Sequence, residues 1–73
     1  MATQIVMDHS GDIRHWFDQR DRASLLKAEE RFQDLSDLGY TAAVRNAWGE
    51  PSIVRHFDPT AEETLFFPRL VGG

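Results

Sequence analysis

Histidine is the first residue type to weigh for chemistry, because imidazole changes charge near neutral pH and binds metals readily. His9, His15 and His56 stand apart in the chain, with none of the HxH, HxxxH or HExxH spacings that bring two ligands to one ion. Read at period two, His15 and His56 point away from their Phe and Trp neighbours, toward solvent. The carboxylates, 12 in all, fall mostly at turn, cap and exposed-helix positions such as Asp8, Asp18, Asp21 and Asp58. There a short acceptor side chain serves the local backbone, whereas acid–base catalysis asks for a cleft and a displaced pKa. There is no cysteine, and hence no thiol nucleophile, disulfide, Fe–S cluster or Cys-ligated zinc. No Gly-rich phosphate loop and no GxSxG signature occurs. These residues point to a non-enzymatic protein with no catalytic residues, no metal site and no cofactor.

Charge and length narrow the partners. Twelve acidic residues against eight basic ones leave a net charge of −4, a poor match for a phosphate backbone, so nucleic acid is not the expected partner. The longest apolar runs, such as Leu65-Phe66-Phe67, fall far short of the roughly 20 residues that span a bilayer. No basic segment followed by an apolar run opens the chain, and the expectation is a cytoplasmic protein without a membrane partner. Seventy-three residues make one small domain.

The elements that would position any site follow from periodicity. Thr3 to Asp8 and Ile13 to Phe17 mix β-branched and polar residues around Ser10-Gly11-Asp12, predicting a β-hairpin. After Phe17 the period changes. Leu25, Ala28, Phe32 and Leu35 form one apolar stripe, Asp18 and Asp21 are candidate N-caps, and Gly39 follows Leu38. This predicts the main helix over about 21–38. Tyr40 to Arg45 and Ser52 to Phe57 read as strands around a turn containing Gly49. Asp58-Pro59 with Thr60-x-x-Glu63 predicts a short helical turn near 59–64, and Pro68 stops regular structure. The expected fold is α+β, ββαββ, with a small mostly antiparallel sheet packed on one helix. The expected organisation is a single domain over 1–68 and a flexible tail over 69–73. Residues 64–70 stay open between strand, helix and coil.

Two segments echo each other: Arg14-His15-Trp16-Phe17-Asp18 and Arg55-His56-Phe57-Asp58. Either an old ββα duplication or the shared chemistry of strand-to-helix junctions accounts for them. Trp16, Phe17, Phe32 and Phe57 are expected between sheet and helix. Trp48, beside Gly49 in a turn, and Phe66, close to Pro68, are candidates for contact with a protein partner.

The chain ends Arg69-Leu70-Val71-Gly72-Gly73. With Gly near 7% of residues, a terminal Gly-Gly arises by chance in about one chain in 200. Together with the ββα start, the opening Gln4-Ile5-Val6 and the Gly11 turn, this ending resembles ubiquitin and its β-grasp relatives, including bacterial ubiquitin-like proteins. Thr64 to Phe67 and the five residues from Arg69 resemble that family's last strand and conjugation tail. The resemblance implies that the last strand is central and parallel to the first. It also implies a protein partner, an activating enzyme that adenylates the Gly73 carboxylate with ATP and passes the chain to a thiol. Gly72 and Gly73, lacking Cβ, would thread a narrow channel, while Arg69 and Leu70 would be a charged and an apolar handle. The alternative reading is a small ββαββ protein–protein interaction module without C-terminal chemistry, using an exposed sheet face or Trp48 as its contact surface. The chain is expected as a monomer or a weak homodimer, since an unpaired edge strand invites self-pairing.

Overall fold

The computed structural model describes residues 1–45 and 48–68. Within them lie five strands and one helix: β1 (Ala2–Asp8), β2 (Gly11–Phe17), α1 (Arg22–Asp37), β3 (Thr41–Arg45), β4 (Pro51–Val54) and β5 (Glu63–Phe67). The strands form one mixed sheet in the order β2-β1-β5-β3-β4. β1 runs parallel to β5, and the other three pairings are antiparallel. The α+β class is as expected, but the sheet has five strands where ββαββ provides four.

The hairpin and helix close as their residues dictate. Asp8 Oδ1 accepts from Ser10 N at 2.7 Å and from Ser10 Oγ at 2.6 Å, tying the turn before Gly11, which takes φ +129°. Asp21 is the N-cap of α1, its Oδ1 accepting from Ala23 N at 3.3 Å. Asp18 instead shapes the approach, accepting from Arg20 N at 2.9 Å. At the other end Tyr40 N donates to Leu35 O and Gly39 N to Ser36 O, both at 3.0 Å, with Gly39 at φ +94°. That paired pattern is a Schellman stop, which needs a left-handed residue where glycine stands.

The segment before β5 departs from expectation. No helical turn forms over 59–64. Asp58 Oδ1 accepts from Thr60 N at 2.9 Å and from Thr60 Oγ1 at 2.6 Å, closing a tight turn. Glu63 Oε1 accepts from Arg45 Nε at 2.9 Å. Both side chains of the expected capping box are thus engaged elsewhere, and Glu63 begins a strand. The strand expected over Ser52 to Phe57 stops at Val54, the last residue opposed by β3. Phe57 then turns inward, its ring 5.9 Å from Phe17 and 6.1 Å from Phe32. The two echoing segments therefore differ in structure, one lying in β2 but for Asp18 and the other wholly past the end of β4.

The core sits between the helix and one sheet face. Val6, Ala42 and Phe66 from the sheet meet Phe32 of α1, with the Phe66 and Phe32 rings edge-on at 5.5 Å. Beside them Ala2 and Phe17 meet Ala28, with Leu25 and Phe57 packed against the group. Fully burying one Phe side chain contributes roughly 1.5–3 kcal/mol, so a few rings carry much of a domain this small. Trp16 is not among them. Phe17 faces the helix, successive strand residues point to opposite faces, and Trp16 is consequently 61% exposed on the open face. The same alternation turns His15 toward the helix side, opposite Gln4, where it is half-buried rather than solvated.

Candidate functional site

β5 decides where the end of the described chain lies. Thr64 and Phe66 point into the core and are 2% and 0% exposed. Between β1 and β3 the strand is paired on both sides, with Val6 and Ala42 flanking Phe66. Pro68 follows the last strand residue, so its missing N–H costs the sheet no hydrogen bond inside β5. The segment from Arg69 to Gly73, including the candidate residues Arg69, Leu70, Gly72 and Gly73 and the expected tail over 69–73, lies outside the described residues. Five residues beyond Pro68 can span at most about 18 Å.

The two candidate contact aromatics are placed very differently. Trp48 is 88% exposed, between β3 and β4. Phe66 is fully buried and has no surface to offer a partner; its aromatic ring, read as a contact, is a core anchor. The arginine beside the Trp48 turn is fixed at both ends of its guanidinium. Arg45 Nε donates to Glu63 and Nη1 donates to Gly49 O at 3.4 Å, linking the β3–β4 turn to the start of β5.

An interaction module could also use an exposed sheet face, and the face away from α1 is the open one. Register places Ile53, Ala43, Leu65, Ile5 and Arg14 in one row across all five strands. Ile53 is 70% exposed at one margin and Trp16 61% at the other, while Ala43 and Ile5 in the interior are nearly covered. The signal was present in the alternation of Leu65 and Phe67 with Thr64 and Phe66, but it needs the strand assignment of 63–67 to become legible.

Local structure tunes Asp8, Asp58 and His15. The Ser10 hydroxyl and amide hold the Asp8 carboxyl below its usual range, and those of Thr60 do the same for Asp58. Partial burial, with the Arg31 charge nearby, lowers the His15 imidazole pKa. His56 lies in the bend after β4, on a cleft of about 460 Å³ with Glu29, Glu30, Asp34 and Phe57. Among the described residues no group of His and carboxylates is arranged to hold a metal ion. No helix among them is long and apolar enough to cross a membrane.

Comparison with protein-family models, with curated proteins and with solved structures yields no match.

Proposed function

We propose that the chain is a non-enzymatic, ubiquitin-like modifier of β-grasp type whose Gly73 carboxylate is activated and then conjugated or thiolated. The observation that carries this reading is the placement of β5: the last strand lies at the sheet centre, parallel to β1, and ends at Phe67 just before Pro68. That is the relation the resemblance implies between the family's last and first strands. In the sequence only Pro68 separates that strand, paired on both sides, from Arg69-Leu70-Val71-Gly72-Gly73. A rigid anchor next to two residues without Cβ suits presentation of a carboxylate to another protein's catalytic centre. The reading requires a free carboxylate at Gly73.

In the step itself the Gly73 carboxylate attacks the α-phosphate of ATP, releasing pyrophosphate. A thiolate of the activating enzyme then displaces AMP to give a thioester. Incubation with a cognate activating enzyme and ATP yields a thiol-sensitive adduct that depends on Gly73. The fate of the adduct is separable by mass. Trypsin cuts after Arg69, so conjugation leaves Leu-Val-Gly-Gly on a target amine, whereas thiolation, in which a sulfide donor displaces the enzyme thiolate from the thioester, replaces one oxygen of the terminal carboxylate by sulfur.

The second reading, an interaction module, draws on Trp48, a residue 88% exposed on a turn. It expects Trp48→Ala to weaken partner binding and removal of Gly72 and Gly73 to leave it unchanged.

A further inference from the structure

The sheet has two edges, and they differ in kind. β4 is four residues long and opens with Pro51, a common way of blunting an edge. β2 is seven residues long, contains neither Pro nor Lys, and exposes Ile13 at 52% and Trp16 at 61%. A long edge strand with exposed apolar residues is a template for another strand.

We propose that β2 pairs antiparallel with β2 of a second copy about a two-fold axis through Ile13, joining two five-stranded sheets into one of ten strands. This inference is independent of the chemistry at Gly73.

Register selects that axis. Residues opposed in an antiparallel pair share a sheet face. For the joined sheet to carry both helices on one side, each β2 residue must oppose one of its own alternation, and the axis must pass through a residue. An axis through Arg14 sets the two Arg14 guanidinium groups against each other. An axis through His15 opposes Asp12 to Asp18 of the other copy and brings the two imidazoles together. An axis through Ile13 opposes Asp12 of each copy to Arg14 of the other, twice, on the open face.

The same axis sets the two Ile13 side chains side by side on the helix face, where Val6 is the cross-strand neighbour of Ile13. Asp12 and Arg14 are both exposed, and neither side chain makes a hydrogen bond or ion pair among the described residues. Opposite charges directly across a strand pair stabilise it and like charges oppose it. Of the three placements only the Ile13 axis makes every charged pair complementary. Its overlap runs from Gly11 to His15, which fits a weak, reversible association.

Sedimentation velocity on the full chain, from micromolar to millimolar concentration, tests this. Dimer is expected to accumulate with concentration. Asp12→Arg and Arg14→Asp each weaken self-association about tenfold or more, because each sets like charges face to face. An equimolar mixture of the two variants recovers dimer, since one strand then carries two cations and the other two anions. The chain has no cysteine, so Ile13→Cys gives a clean register test. Under mild oxidation with oxidised glutathione it forms a disulfide-linked dimer, being within reach of its own copy across the axis, while Ile53→Cys on the other edge does not. A chain that stays monomeric at millimolar concentration overturns the proposal, whether its β2 edge then takes another protein's strand or none. So does a mixture no more associated than either variant alone, or preferential cross-linking through Ile53→Cys.

Discussion

Gln4 and Arg31 meet in the layer between sheet and helix: Arg31 Nη1 donates to Gln4 Oε1 at 2.9 Å, while Gln4 Nε2 donates to Ala28 O at 3.0 Å. Gln4 is fully buried on β1, so this pair of bonds satisfies both ends of an amide that would otherwise be stranded. It also fixes the helix against the sheet at one point along its length. Gln4→Ala should therefore destabilise the fold by about 1–3 kcal/mol, the range for removing a buried hydrogen-bonding group. A urea titration followed by circular dichroism measures it, and an unchanged midpoint would show that Arg31 and the Ala28 carbonyl do not depend on Gln4.

Phe66 and Trp48 separate stability from contact. Phe66→Ala should remove about 3–5 kcal/mol, comparable to the whole stability of about 4–11 kcal/mol expected for a chain this long. Phe66→Leu is the measurable variant, folded but with a lower melting temperature. Trp48→Ala, at a position 88% exposed, should shift stability by less than about 0.5 kcal/mol. A Trp48→Ala loss as large as that of Phe66→Leu would mean that the indole is part of the core.

Much of the fold is legible in the residues, and what is not has a common cause. Asp21, the Leu25-Ala28-Phe32-Leu35 stripe and Gly39 specify the helix locally, through a cap, a periodicity and a left-handed stop. The first hairpin is equally local. β5 is not, because Glu63 to Phe67 becomes a strand through pairing with β1 and β3, both far away in sequence. Local spacing instead suggested a capping box, whose Thr60 and Glu63 are engaged by Asp58 and Arg45. The misplacement of Trp16 follows from counting two adjacent residues, Trp16 and Phe17, toward one face. Of the candidate site, Trp48 was legible as an exposed turn residue, whereas the burial of Phe66 required the assignment of β5.

Acid should weaken the fold through three groups that act in the same direction. Asp8 and Asp58 titrate below their ordinary 3.8 when folded, so the stability they contribute is present above that value and lost as pH falls through the folded pKa. His15 titrates below its ordinary 6.5, chiefly because burial disfavours the imidazolium. The unfolded chain then binds more protons just below pH 6.5, and stability falls there as the solution is acidified. Melting temperature should thus be flat above pH 7, decline below 6.5, and decline again below 4. His15→Gln should abolish the first decline and keep the second; a first decline that persists in His15→Gln would assign it to another group.

Lys27 is the only lysine in the chain and lies exposed on α1. If the modifier reading holds, self-linked polymers can form only through Lys27 or the amino terminus. Lys27→Arg should leave activation and attachment to other proteins intact while removing every Lys-linked polymer from a denaturing gel.

The most direct measurement is formation of the thioester itself, with purified chain, a cognate activating enzyme and ATP, resolved with and without reducing agent. Wild type and Trp48→Ala should give the same thiol-sensitive band, and removal of Gly72 and Gly73 should eliminate it. Absence of the band with wild type, or a band of equal strength after removal of the two glycines, would contradict the modifier assignment.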